Sequence, residues 1–350
     1  MKTLGKRMLK RTLRRADRLA ARLGASNRVL ASLYYLFRGS FSREHQAVLA
    51  GRLAYSRSLQ DPTVNTSLLR RNIHRIEKGL LMRPRRVPFG LNYIGETVAA
   101  YELAVRHQVE ALELAWARDV LHEYMRITPS HPVVDPLREM VVSLDSIPRD
   151  ASQPPQLIPY ARSVDEAPNI NYEQLLRLAK YRRSVRWYLP QPVPREAIER
   201  AVEVAALSPT ACNRLPYEFR VIDEPSLVQQ VIQLPMGTSG FNHQVPGLAV
   251  IVGKLRNYPN ERDRHLIYVD GALAAMSFVY ALEAQGIGSC CINWPDIEER
   301  ETRMARLLKL APDERPIMLV SFGYPDPEGL VARSTKKSLT TICKFNFESK

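Results

Sequence analysis

A break in hydrophobic patterning near the middle of the chain limits its architecture more than any other feature. From about residue 28 to residue 146 apolar positions recur with a helical period, and the stretch from Gly95 to about Met125 carries that period without a proline. Between Ile147 and Asn169 the prolines Pro148, Pro154, Pro155, Pro159 and Pro168 leave no periodic pattern, with Pro136 just upstream. Beyond them, short apolar runs alternate with helical segments. A chain of 350 residues can bury two modest cores. The break therefore predicts four parts: a basic amphipathic helix over 1–24, a helical region over 25–146, a proline-rich linker over 147–169 and a mixed domain over 170–350.

The formal charge of +14 is concentrated at one end, where residues 1–22 hold nine Lys/Arg against Asp17 alone. Leu4, Met8, Leu9, Leu13, Ala16, Leu19, Ala20 and Leu23 fall at helical spacing among those cations. Residues 2–23 thus read as an amphipathic helix suited to a peripheral membrane surface or an acidic partner, or to packing on its own protein. Interleaved aromatics are missing, which argues against nucleic acid. No run of about 18 uncharged apolar residues occurs, and the basic tip lacks a secretory signal's apolar core. Cys212, Cys290, Cys291 and Cys343 form no CxxC pair and no metal-like spacing. A cytoplasmic protein with reduced thiols, soluble or peripheral to the membrane, is the expectation. The Ile73–Gly79 stretch (IHRIEKG), followed by Arg83, Arg85, Arg86 and Phe89, reads as a helix end and a solvated connection rather than a binding loop.

In the mixed part, helices are expected over Tyr172–Tyr181, from Pro194 to Leu207, over Val269–Gln285 with a stop at Gly286, and over Glu298–Leu310. Strands are expected over Phe219–Asp223, Gly247–Lys254, Cys290–Asn293 and Ile317–Tyr324. This order by itself suggests a doubly wound parallel sheet. Two stretches imitate nucleotide loops, and neither is one. Gly253-Lys254 ends a strand, and Gly286-Ile287-Gly288 has Cys291 where a third glycine belongs. There is no nucleophile elbow, no HExxH and no paired histidine spacing, so if the chain is an enzyme a bound cofactor supplies the reactive atom.

Two segments carry that expectation. Tyr181–Arg186 (YRRSVR) gathers Arg182, Arg183, Arg186 and the Ser184 hydroxyl, and guanidinium forks match phosphate oxygens. About 25 residues later Ser208-Pro209-Thr210-Ala211-Cys212-Asn213 closes a helix with small side chains and an amide, a surface that a flat ring can approach. With the helix opening at Asp270-Gly271, the Gly286-Ile287-Gly288-Ser289-Cys290 stretch, Phe322-Gly323-Tyr324-Pro325 and the basic Arg333-Ser334-Thr335-Lys336-Lys337, the order resembles the nitroreductase family over some 165 residues. The N-terminal half is similar to extensions on nitroreductase-like proteins linked to bacterial polysaccharide production.

The resemblance replaces the parallel sheet with an α+β fold, a nitroreductase-like mixed sheet covered by helices and preceded by a mostly helical N-terminal region. It implies FMN as cofactor, NAD(P)H as electron donor, a small-molecule substrate, and a homodimer with FMN at the interface. Arg182, Arg183 and Ser184 would reach the FMN phosphate and ribityl chain with Arg333, Lys336 and Lys337, and Arg186 and Asn242 the pyrimidine edge. Ser208, Pro209, Thr210, Ala211 and Asn213 would face the partner's flavin, and Cys290, Cys291, Ile292 and Asn293 would run beside the ring. Cys290 and Cys291 are otherwise small, buried strand residues. No side chain is assigned as catalyst, since flavin N5 carries hydride in a ping-pong cycle, and no metal is expected. Tyr217, Cys291 and Asn293 depart from the commonest family pattern, so the acceptor stays open between nitro compounds, quinones and others. Two other readings are a flavin-dependent dehydrogenase of a polysaccharide or natural-product precursor and a non-catalytic scaffold that binds membrane or another polyanion.

Overall fold

The computed structural model describes residues 12, 16–17, 19–144, 156–163 and 165–346. The expected basic helix over 2–23 and the start of the proline-rich linker fall mostly outside these residues. The helical region comprises α1 (Arg28–Arg38), α2 (Ser42–Ser58), α3 (Ser67–Leu80), α4 (Ile94–Arg106), α5 (Ala111–Ile127) and α6 (Asp135–Ser143). Asn27 caps α1 by accepting from the Val29 and Leu30 amides, and Gly39 ends it in the left-handed region.

The helical stretch read over Gly95 to about Met125 consists of two helices, separated at His107–Glu110 with Gln108 at φ 51°. The break lets α4 and α5 fold against each other. Ile94, Val98, Tyr101 and Ala104 meet Leu114, Ala117, Val120, Leu121 and Tyr124 in one core, and α3 adds Leu69, Ile73, Ile76 and Leu80. Burial of both apolar stripes outweighs the backbone cost of one left-handed residue, an effect that helical period cannot register. IHRIEKG lies inside α3, which ends at Leu80 ahead of an irregular connection, as expected.

The C-terminal part holds α7 (Tyr172–Tyr181), α8 (Arg195–Ala206), β1 (Tyr217–Ile222), α9 (Pro225–Ile232), β2 (Gly247–Lys254), α10 (Leu266–Glu283), β3 (Gly288–Asn293), α11 (Glu298–Leu308), β4 (Glu314–Gly323) and the short α12 (Leu339–Ile342). Every strand expected from the sequence is present, within three residues at each end. The sheet order is β1-β2-β4-β3 and all three ladders are antiparallel, which corrects the doubly wound parallel expectation. Element order could not decide this, because strands joined through helices can return in either direction. The parallel contribution is a bridge between Ser184 and Ser289 at the free edge of β3. Helices cover both faces, with cores around Val228, Val231, Ile232, Leu248 and Val250 on one side and around Ala201, Ala249, Ile251, Phe278 and Val320 on the other.

Helix α10 packs closely on the sheet because Gly271 has no Cβ, which would press on Ile317. The stretch Glu261–Glu283 is long and apolar enough to cross a membrane by length and composition. Here it lies on the sheet, with Ile267, Ala274, Ala275, Phe278, Val279 and Leu282 buried. The two parts of the chain also touch directly. Gly51 of α2 lies against the Leu255 backbone, so Ala47 and Val48 share a cluster with Leu255, Tyr258 and Ile267.

Candidate functional site

The arginine segment runs along the edge of the sheet. Val185 donates its amide to the Ser289 carbonyl at 3.0 Å, and Leu189 donates to Tyr324 at 2.8 Å. This pairing brings Arg182–Arg186 beside Ser289–Asn293 although about a hundred residues separate them. Tyr188 fixes the segment from below, its buried hydroxyl donating to the Val185 carbonyl at 2.8 Å. Burial and the loss of water push that phenol far above its ordinary range, so it stays neutral.

Side chains alternate along β3, with Cys290 and Ile292 buried in the core and Cys291 and Asn293 exposed on the opposite face. The expectation that both cysteines are buried therefore holds for Cys290 and fails for Cys291, since a period of two cannot bury neighbours on one face. Burial pushes the Cys290 thiol up, against the pull of Arg186, the Ser184 hydroxyl and Arg182. Nearby, Glu283 at the end of α10 is pushed up by burial, opposed by the Arg182 charge. The Nε of Arg182 and the Oγ of Ser289 are buried and have no hydrogen-bond partner. These are unused donors beside the Arg183 and Arg186 cations, with Glu283, whose Oε2 is also buried without a partner, as the carboxylate near Arg182; the donors suit an anion with several acceptor oxygens.

Asn242 joins this group through its turn. Gln244 of that turn donates to the Arg186 carbonyl and accepts from the Tyr188 amide at 2.8 Å, while Arg186 lies over the Phe241 ring at 5.8 Å. Gln244 belongs with the site but carries no motif of its own, and only the pairing of the segments reveals it; Ser289 lies in the Gly286–Cys290 motif, but its place beside Ser184 likewise comes from the pairing.

The Ser208–Asn213 turn sits elsewhere, on the outer side of α10. Ser208 Oγ lies 2.7 Å from Ser277 Oγ, and the Ala211 amide donates to Asp270 at 3.0 Å. Cys212, Asn213 and Leu215 adopt left-handed backbone, with φ between 45° and 55°. Such conformations cost on the order of 1 kcal/mol each, so the turn exists because its surroundings hold it. It leads into β1, at the opposite edge of the sheet from β3 and Ser184. Three strand spacings, roughly 14 Å, separate β1 from β3, and the Ser184 segment lies beyond β3. Within one chain the turn stands ahead of β1 and the arginine segment beyond β3. Arg333, Lys336 and Lys337 lie in an exposed C-terminal stretch and make no ion pair among the described residues.

Asp270 anchors the turn by accepting from the Tyr258 hydroxyl at 2.9 Å as well as from Ala211. Burial raises its pKa, so the folded protein holds the proton more tightly than the unfolded chain. The stability this group contributes is complete below about pH 4 and is lost as the pH rises through its folded value. Asp270→Asn should flatten that decline in a pH series of urea midpoints. Asp270→Ala should cost about 1–3 kcal/mol by leaving two buried donors unpaired.

Residues 179–238 and 227–324 match the model of the Nitroreductase family. The provisionally named NADH dehydrogenase/NAD(P)H nitroreductase of Archaeoglobus fulgidus is 27% identical over 161 residues, covering 45% of this chain and 88% of its own. The iodotyrosine deiodinase of Nematostella vectensis is 25% identical over 189 residues, 47% of this chain and 71% of its own. Among solved structures, the FMN-dependent nitroreductase of Clostridium difficile R20291 superposes with a TM-score of 0.43 at 21% identity, over 49% of this chain and 99% of that one.

Proposed function

We propose that the chain, whose residues 179–238 and 227–324 match the Nitroreductase family model, is an FMN-dependent oxidoreductase that takes hydride from NADH or NADPH and passes it to a small oxidised acceptor in two successive half-reactions. The observation that carries this reading is the set of unused donors at the sheet edge. Arg182 Nε and Ser289 Oγ are buried without partners, and neither Arg183 nor Arg186 is neutralised by a carboxylate among the described residues. Bound FMN supplies the ring that accepts and releases hydride at N5.

The protein's part is binding and electrostatics. Arg182, Arg183 and Ser184 would hold the phosphate and ribityl end. Arg186, beside the Asn242 turn, would stabilise negative charge at the pyrimidine edge. Ser289–Asn293 would run along the ring, with Cys291 and Asn293 shaping the face that receives the acceptor. The names of the relatives, a NAD(P)H nitroreductase and a deiodinase, suit reductive chemistry on small molecules.

The flavin site is completed by a second copy in this reading. The place of the Ser208–Asn213 turn ahead of β1, at the other edge of the sheet from the arginine segment, favours a turn that serves the partner's flavin. The outer faces of α8 and α10 supply a surface for that contact, with Val204, Leu207, Val269, Leu273 and Met276 all exposed and in register with the helical period. Leu273→Glu should yield monomers in light scattering and weaken FMN binding at least about tenfold, because a charge buried at an apolar interface costs several kcal/mol.

The visible spectrum of purified protein tests the cofactor directly. Flavin absorption, restored by FMN after stripping and bleached anaerobically by NADH or NADPH, is the expected result. Protein that neither carries flavin nor acquires it from excess FMN overturns the reading.

A further inference from the structure

We propose that Arg70, from the helical N-terminal half, is a positioning residue for the Ser208–Asn213 turn, so that this half of the chain forms part of the redox centre. The proposal rests on the flavin reading above and extends it to a region that the family match does not reach.

Arg70 lies on α3, and its Nε donates to the Asn213 carbonyl at 2.7 Å. The rest of its guanidinium is held in place. Nη1 donates to Glu113 of α5 at 3.0 Å, and the cation sits over the Trp116 ring at 5.3 Å. Trp116 in turn donates to Glu77 of α3 at 2.9 Å. Glu113 is buried and the Arg70 side chain mostly so, which strengthens the pair and restricts its motion. The donor aimed at Asn213 is therefore rigid, and its direction is set by the packing of α3 on α5.

The turn at the receiving end needs such support. Two of its residues, Cys212 and Asn213, and Leu215 just beyond are left-handed without being glycine, and its own hydrogen bonds are few: Leu215 N to Thr210 Oγ1 at 3.2 Å and Asn213 N to the Thr210 carbonyl at 3.0 Å. From the catalytic domain Asp270 holds Ala211, and Asn257 donates to the Arg214 carbonyl at 3.0 Å. Arg70 holds the residue between these two anchors, the one whose amide side chain the flavin reading aims at the partner's ring. The close fit of α2 on Leu255 keeps the N-terminal half seated while it does so.

The test uses full-length protein and three variants: Arg70→Ala, Arg70→Lys and, as control, Arg138→Ala. Arg138 donates to the Met125 and Thr128 carbonyls, so its loss loosens the helical half without touching the turn. Hydrogen exchange over residues 208–216 should rise about tenfold in Arg70→Ala, the size expected for losing a hydrogen bond from a charged donor, and stay at the wild-type rate in Arg138→Ala. Turnover of the flavin-loaded enzyme should fall about tenfold at nearly unchanged KM for the nicotinamide donor, since a small misplacement near the ring acts on the chemical step. Arg70→Lys should recover part of both. Unchanged exchange over 208–216, or an equal rise in the Arg138 control, overturns the proposal. Should wild-type protein take up no FMN while the exchange difference persists, the flavin reading falls and the bracing of the turn by Arg70 stands.

Discussion

Replacing Arg182 and Arg183 together by alanine is expected to weaken FMN binding about a thousandfold, because each truncation removes a charge-assisted hydrogen bond worth roughly 1.5–3 kcal/mol. The structure gives a reason to expect little loss of stability in exchange. Neither guanidinium closes an ion pair with a carboxylate among the described residues, and Arg183 donates only to the neighbouring Arg182 carbonyl. Removing Arg182 takes away a buried, unpartnered donor and leaves Glu283 to keep its proton, as its raised pKa already favours. Fluorescence titration of stripped protein with FMN measures the affinity, and a thermal scan of the same sample measures the fold. A loss of affinity smaller than tenfold would place the phosphate elsewhere and remove the main support for the flavin reading.

Glu301→Ala should produce the largest loss of stability, about 3–5 kcal/mol. Glu301 and Arg315 are both buried, and the carboxylate accepts from Arg315 at 3.0 Å and from Trp294 Nε1 at 2.8 Å. Burial raises the pKa of Glu301, while the Arg315 charge opposes that shift. Truncation leaves a guanidinium in the interior with Asp296 as its remaining partner, and an uncompensated buried charge is the expensive half of a broken pair. In a unit of this size such a loss lowers the melting temperature by on the order of 10 °C. Glu301→Gln keeps an acceptor for Trp294 and should lose less. Calorimetry of the three proteins decides, and a shift within 2 °C, roughly the effect of half a kcal/mol, would show the pair to be dispensable.

These two variants separate what the site is for from what holds it up. Arg182 and Arg183 stand beside the free edge of β3, half-buried, and Arg182 Nε has no partner there. Glu301 and Arg315 join α11 to the far end of β4, ten or so residues from the edge that carries the arginine segment. Loss of flavin with an intact fold, and loss of fold with unaltered flavin affinity below the melting range, are the contrasting outcomes.

Much of the fold and part of the site are legible in the amino-acid sequence. Strand β2 reads directly from GLAVIVGK because a fully buried strand needs an unbroken apolar run. Helix α7 has the bounds read from the sequence, Tyr172–Tyr181, and the structure shows a capping box between Asn171 and Gln174 at its start. The cation-rich segment at Arg182–Arg186 is visible because several guanidinium groups in a few residues have few structural uses. Other features are hidden for equally definite reasons. The α4–α5 break at Gln108 has no glycine or proline to announce it. Asp270 looks like an ordinary helix residue until the Ser208–Asn213 turn folds back onto it. Gln244 is one polar residue in a turn until its amide is seen clamping the Arg186–Tyr188 backbone.

What the chain alone determined is therefore local: where helices and strands form, which segment concentrates positive charge, and which short motifs align with a family. Those properties depend on neighbours within about ten residues, through side-chain period, capping and backbone allowance. Only the tertiary structure decided that the ladders are antiparallel, that Ser289 lies beside Ser184, that the turn and the arginine segment stand at opposite edges, and that Arg70 reaches Asn213 across 143 residues. Each of these is a pairing between distant segments. It is selected by the burial of whole faces and the satisfaction of buried donors, and neither quantity exists until the segments meet.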